Sequence, residues 1–297
     1  MSAVASLALP LAVALAAGAF LSYVGYRLVT PPRHVGEWTP TDAGLDYEDV
    51  TFTAGDGVTL SGWWIDRGSD RTVIPLHGYT ASRWAFYITP VIEEAARRGY
   101  NVLAFDFRAH GRSGGSRTTF GVREFEDLRA ALDWLESNHP HAARGVGLVG
   151  FSMGGVVAIR ALAEEDRVAC AVADSPPINM DRTGARGLRY FAGLPEWIYP
   201  LVKPIALLLS GSRAVDSMAY AERVKKPLLV VAGRRDPLVR IEEVREFVKR
   251  ARRVNPDVEL WETDAEHVRT IKLDREAYLS RVLGFLDRHL GVGDVAN

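Results

Sequence analysis

Val149-Gly150-Phe151-Ser152-Met153-Gly154-Gly155 sets a serine between small residues, where the apolar run Gly145-Val146-Gly147-Leu148-Val149 gives way to a helical pattern starting near Met153. A strand that reverses sharply into a helix forces the residue at its tip into a strained backbone conformation. Glycines at 150 and 154 remove the side chains that this reversal would bring into collision. Ser152 Oγ is then held at the mouth of a sheet, with the free N–H groups and positive dipole end of a helix behind it. An idle serine in a Gly-rich turn would read the same way, so the rest of the chain decides.

A hydroxyl is a weak nucleophile at neutral pH and needs a base, which in turn needs a carboxylate to fix its tautomer. Downstream of Ser152 the apolar run Pro227-Leu228-Leu229-Val230-Val231-Ala232 leads into Gly233-Arg234-Arg235-Asp236-Pro237-Leu238-Val239. A second run, Val258-Glu259-Leu260-Trp261-Glu262, leads into Thr263-Asp264-Ala265-Glu266-His267. Asp236 and His267 are therefore both expected on loops just past strand ends, in the chain order Ser, Asp, His.

On these residues the chain resembles the α/β-hydrolase superfamily over about residues 48 to 291, with the nucleophile elbow at Ser152, the acid at Asp236 and the base at His267. Ile74-Pro75-Leu76-His77-Gly78-Tyr79-Thr80 is similar to that family's His-Gly segment after the third strand, so the resemblance makes the backbone N–H groups of Tyr79 and Met153 the two oxyanion-hole donors. Phe105-Asp106-Phe107-Arg108-Ala109-His110-Gly111-Arg112-Ser113 resembles the family's Asp-x-Arg-Gly-His-Gly-x-Ser loop, in which Asp106 and His110 have a structural part. Two positions depart from the pattern: Ala109 stands where glycine is usual, and Asp264 stands where glycine often precedes the base by three. Carboxylates at Asp264 and Glu266 would raise the pKa of His267 if they pointed inward; as solvated loop charges they would not.

Among the other candidates, Asp174 follows the strand-like Val168-Ala169-Cys170-Ala171-Val172-Ala173 and is the rival acid, although the Gly-x-x-Asp-x-Leu-Val setting favours Asp236. His289 falls on a terminal amphipathic helix, and His139 and His141 flank Pro140 in a connector. One cysteine and no His-x-x-His or His-Glu-x-x-His spacing offer no zinc ligand set, and Gly111–Ser116 lacks the phosphate-cradle pattern. No cofactor and no metal are expected. With 36 basic against 37 acidic residues and no basic stripe, a nucleic-acid partner is not expected either.

Ser2 to Tyr26 contains no charged residue and is dominated by Ala, Leu and Val. Roughly 20 apolar residues cross a bilayer core as a helix, so residues 1–30 are expected to be a single-pass membrane anchor. A cleaved signal peptide, giving a secreted or periplasmic protein, is the alternative; the absent positive n-region and the length of the apolar run speak against it. Arg27 and Arg33 after the span favour a cytoplasmic catalytic domain.

Pro31, Pro32 and Pro40 mark residues 31–47 as a linker to a domain over 48–297. An opening hairpin is expected over 48–53 and 58–65, then strand 72–76, helix 83–98, strand 101–105, helix 122–138, strand 145–149 and helix 153–164. This alternation predicts an α/β fold with a mostly parallel sheet covered on both faces. The rhythm breaks at Pro176-Pro177, and 178–215, rich in Trp, Tyr, Phe and Leu, reads as a small helical cap over the site. An apolar cap suits an acyl chain and can also rest on lipid; the same residues could equally pack the cap onto the domain. The expected function is a Ser-His-Asp hydrolase of a carboxylic ester or thioester with a lipid-like acyl group. An aminopeptidase-like amide hydrolase and a non-catalytic scaffold remain as alternatives.

Overall fold

In the computed structural model, which describes residues 3–213 and 215–291, eight strands form one sheet in the order β1-β2-β4-β3-β5-β6-β7-β8. Residues 1–2 of the expected anchor, Ala214 of the expected cap and residues 292–297 lie outside the described residues. The strands are β1 Glu48–Thr53, β2 Thr59–Ile65, β3 Arg71–Leu76, β4 Asn101–Phe105, β5 Gly145–Phe151, β6 Val168–Asp174, β7 Leu228–Gly233 and β8 Val258–Thr263. β1 and β2 form an antiparallel hairpin, β2 pairs antiparallel with β4, and the remaining neighbours are parallel.

The parallel strands read as near-continuous apolar runs because both faces are covered. Helices α2 (Thr89–Arg97) and α8 (Arg275–Leu290) pack on one face, where Val91, Ile92, Val282 and Phe285 meet Val149, Val172 and Leu229. Helices α3 (Glu124–Asn138), α4 (Met153–Glu164) and α7 (Ile241–Ala251) pack on the other, with Leu128, Val157 and Phe247 against Leu148 and Val230. The lone Cys170 is buried in the sheet.

The chain runs from β3 outward to β4, then crosses back to β5 on the other side of β3. Loops leaving the carboxyl ends of β3 and β5 therefore diverge, and such a switch point opens the crevice in which ligands of open α/β sheets bind. Between β6 and β7 lie α5 (Met180–Ala192) and α6 (Tyr199–Ser210). The apolar helix α1 (Ala3–Val29) runs against α6, burying Val24 with Leu188, Ile198 and Val202. Gly25 permits the approach, since a Cβ there would sit 2.9 Å from Ile205 Cγ2.

Two segments differ from the sequence reading. The helix expected over 83–98 begins at Thr89, because Pro90 has no N–H and fits only a first turn; residues 82–88 form tight turns instead. Residues 31–47 lie along the domain: the Arg33 guanidinium donates to the carbonyls of His110, Gly111 (3.2 Å), Ser113 and Gly115 (2.6 Å), and Trp38 and Tyr47 meet Trp63 edge-on.

Candidate active site

Ser152 joins β5 to α4 with φ 51° and ψ −113°, a left-handed conformation that a non-glycine residue holds only under constraint. The two flanking glycines serve different purposes. A Cβ on Gly150 would run into the Gly154 carbonyl, and one on Gly154 into the carbonyl of Leu76, so the first lets α4 fold back and the second lets it press on the end of β3.

Asp236, on the loop after β7, is buried, and its Oδ1 accepts from the N–H groups of Leu238 (2.8 Å) and Val239 (2.9 Å). Its Oδ2 lies 2.7 Å from His267 Nδ1, and His267 Nε2 lies 2.9 Å from Ser152 Oγ. The three residues, far apart in sequence, thus form one continuous hydrogen-bonded chain. Asp264 and Glu266 point outward beside Arg234 and Arg269, so neither faces the imidazole.

The rival acid occupies a different place. Asp174 accepts from Ser175 Oγ and from Tyr278 Oη, each at 2.8 Å, and burial raises its pKa to about 6. Ser175 Oγ in turn accepts from the N–H of Val268 (3.1 Å), the residue after the histidine. Ser175 and Val268 both have positive φ, at 51° and 50°. Asp174 therefore braces the His267 loop from beneath. The sequence signal for this brace is weak, since Tyr278 is an ordinary apolar-face residue of α8 in the primary pattern.

Tyr79 and Met153 both line the cavity above Ser152. Met153 opens α4, where an N–H has no intrahelical acceptor, and the N–H of Tyr79 has no backbone acceptor among the described residues. The Tyr79 side chain, to which sequence reasoning gave no part, donates from Oη to the carbonyl of Leu28 at 2.9 Å and packs against Phe120 and Phe191. Burial raises its phenol pKa to about 12.

The loop after β4 is locked from within. Asp106 accepts from the N–H groups of Arg83 (2.9 Å) and Arg112 (3.0 Å). His77 Nε2 accepts from Phe107 N–H (2.9 Å), and the Nδ1–H groups of His77 and His110 donate to the carbonyls of Gly78 and Arg108. Burial lowers the pKa of His77 to about 4 and that of His110 to about 3. Both imidazoles are neutral and structural. His139, in the connector beside Pro140, stacks on Trp64 with ring centroids 4.5 Å apart.

Above Ser152 and His267 opens a cavity of about 550 Å³. Its wall is largely aromatic and aliphatic, with Leu28 from α1, Phe86, Phe120, Tyr190 and Phe191, and Leu207 from α6. Among the described residues no Asp or Glu lines it, and no three His, Cys, Asp or Glu are grouped to hold a metal ion.

A family model described as the alpha/beta hydrolase fold matches residues 71–203. The structure is similar to the esterase Pf2001 of Pyrococcus furiosus, with a TM-score of 0.80 and 57% identity over 90% of this chain and 100% of that one. In sequence it is 30% identical to the uncharacterized protein YqkD of Bacillus subtilis over 64% of this chain, and the match spans 63% of that protein's length. It is also 32% identical to the polyketide transferase grgF of a Penicillium species over 48% of this chain and 49% of that protein. With a solved relative matched along its whole length and the sheet, elbow and crevice in place, the chain belongs to the α/β-hydrolase superfamily.

Proposed function

We propose that this protein is a serine hydrolase that cleaves carboxylic ester or thioester bonds of apolar acyl substrates, held at a membrane by α1. The observation that carries the reading is the bonded sequence Ser152–His267–Asp236 opening into an apolar cavity. Ser152 Oγ attacks the acyl carbonyl while His267 Nε2 takes its proton, and Asp236 holds Nδ1–H and offsets the charge of the imidazolium. The N–H groups of Tyr79 and Met153 stabilise the tetrahedral oxyanion. His267 returns the proton to the leaving alkoxide or thiolate, leaving an acyl-Ser152 ester. Water then enters and attacks the acyl carbonyl while His267 takes its proton; the tetrahedral intermediate collapses by breaking the acyl–Oγ bond as His267 returns that proton to Ser152, and the carboxylic acid leaves. No cofactor is required.

The resemblance to an enzyme named as an esterase supports the ester class. The lining argues against an aminopeptidase-like activity, since a substrate ammonium group would need an acidic partner and the cavity wall supplies none. The 27-residue α1 is apolar, with a mean hydropathy of 1.6 over Leu9–Val29, and its part N-terminal to the cap contact is what would enter a bilayer, which supports the tether.

The test is intact-mass analysis after fluorophosphonate treatment of wild type and Ser152→Ala. One adduct on wild type and none on the variant is the expected result. Absence of an adduct on folded wild type would sink the mechanism and bring the scaffold reading forward.

A further inference from the structure

Exposed apolar surface is distributed very unevenly on this molecule. Of the exposed large apolar side chains among the described residues, only Val254 and Leu273 lie away from α1, the α5–α6 cap and the cavity rim. The rim carries Val35, Phe86, Tyr190 and Phe191, each both exposed and lining the cavity. Next to it, Leu201, Pro204 and Leu208 form an exposed stripe at helical spacing on α6, with Leu208 81% exposed, and Trp197 is 70% exposed just before that helix. None of these last four lines the cavity. A soluble surface rarely gathers its apolar side chains this way without a partner.

The position of α1 selects that partner. Its residues from Leu21 to Leu28 pack on the cap, so the helix is free of the domain only up to Phe20. The stretch from Ala3 to Phe20 spans about 27 Å at 1.5 Å per residue, close to the roughly 30 Å of a bilayer core. The cap therefore begins where the span leaves the hydrocarbon, the depth at which Tyr and Trp collect. Tyr23, Tyr26 and Trp197 are exposed there. Leu28 belongs both to α1 and to the cavity wall, so the cavity opens directly beside the anchor.

We infer that the cavity rim, the outer stripe of α6 and the end of α1 form one surface that rests in a lipid leaflet, and that the substrate is a membrane-resident acyl ester entering the cavity from that leaflet. This rests on the hydrolase reading above and adds the phase from which substrate comes. A leaflet covers the exposed stripe and presents acyl chains at the rim, whereas entry from water would carry a long chain across solvent first.

The experiment uses the full-length protein reconstituted in dioleoylphosphatidylcholine vesicles, with 4-methylumbelliferyl oleate dissolved in the bilayer and 4-methylumbelliferyl acetate in the aqueous phase. In Leu201→Glu/Leu208→Glu, oleate turnover is expected to fall about tenfold or more, as expected for two leucines losing their lipid contact, while acetate turnover stays at the wild-type level. Equal rates for variant and wild type on both esters would overturn the inference. Brominated-lipid quenching of tryptophan fluorescence reads the contact without relying on activity. Wild type should lose emission that Trp197→Phe does not, and an identical quench in both would place Trp197 in water or against a second copy and overturn the leaflet. Failure of the wild type to hydrolyse either ester, with the Trp197 quench intact, would instead remove the hydrolase reading and leave the docking surface standing.

Discussion

Tyr79 Oη donates to the Leu28 carbonyl across 2.9 Å, tying the loop that carries a proposed oxyanion donor to the last turn of the apolar helix. The Val29 carbonyl accepts from Thr118 N–H alongside it, and Val29 itself is fully buried. The end of α1 is thus part of the domain, and its removal is not neutral. A chain beginning at residue 31 should lose about 3 kcal/mol or more of stability against a chain beginning at residue 21, from the buried Val24 and Val29 and the lost carbonyls. That corresponds to a melting temperature roughly 6–12 °C lower. Tyr79→Phe in the longer chain should cost only about 1 kcal/mol. Thermal melts in the same detergent measure all three, and equal melting of the two truncated chains would refute the coupling.

Asp236 and Asp174 occupy the two positions at which a carboxylate could serve the histidine, and their partners predict opposite consequences of removal. Asp236 contacts the imidazole at 2.7 Å, so Asp236→Asn, whose amide oxygen can still accept from the N–H groups of Leu238 and Val239, should lower kcat by about 10⁴ with a modest effect on the melt. Asp174→Ala leaves Tyr278 Oη and Ser175 Oγ buried without their acceptor. It should cost about 3 kcal/mol of stability while kcat falls less than about a hundredfold, through loosening of the Val268 backbone. Single-turnover kinetics with urea midpoints separate the two. Equal kcat losses would mean that both carboxylates serve the base.

The sheet and the serine–acid–base order are legible in the sequence because each rests on local chemistry: apolar runs of strand length, and turn residues just past them. Sequence periodicity extended α2 back to residue 83 because Trp84, Ile88, Val91 and Ile92 keep helical spacing, while Pro90 carries the contrary signal. What stays hidden depends on contacts between distant segments. Nothing near Tyr278 announces that its hydroxyl meets Asp174, and prolines at 31, 32 and 40 suggest an extended linker without revealing that Arg33 binds four carbonyls 77 to 82 residues away. Composition likewise identifies an apolar α1 and an apolar cap, but not that Gly25 brings them together.

Ala109 occupies a position where the sequence pattern of the superfamily leads one to expect glycine, and its φ of 61° supplies the reason. An L residue in the left-handed region costs roughly 1–2 kcal/mol, whereas glycine there costs nothing but the roughly 0.4–1 kcal/mol of extra freedom it has when unfolded. Ala109→Gly should therefore stabilise the fold by up to about 1 kcal/mol, read as an upward shift of a few degrees in the melt. A lower melting temperature would mean that the buried methyl group contributes more through packing than the backbone strain costs.

The paired imidazoles of His77 and His110, with ring centroids 5.1 Å apart, make the fold sensitive to acid in a way that one substitution isolates. Burial lowers their pKa values from 6.5 to about 4 and about 3, so below pH 6.5 the unfolded chain binds protons that the folded chain refuses. Their contribution is present above pH 6.5 and is lost as pH falls toward 4 and 3. Asp174 acts in the opposite sense, since burial raises it to about 6, so stability is gained as pH falls through that value toward 3.8. The whole-protein curve is consequently flatter than either contribution alone, and the histidine part must be read as a difference. His110→Gln can keep the bond to the Arg108 carbonyl but cannot take up a proton. At pH 7 the variant should be somewhat less stable than wild type from altered packing; at pH 5 it should recover about 2 kcal/mol relative to wild type, from 1.5 pH units at about 1.4 kcal/mol each. Urea midpoints at the two pH values measure this, and an unchanged gap would show that His110 already binds its proton in the folded protein.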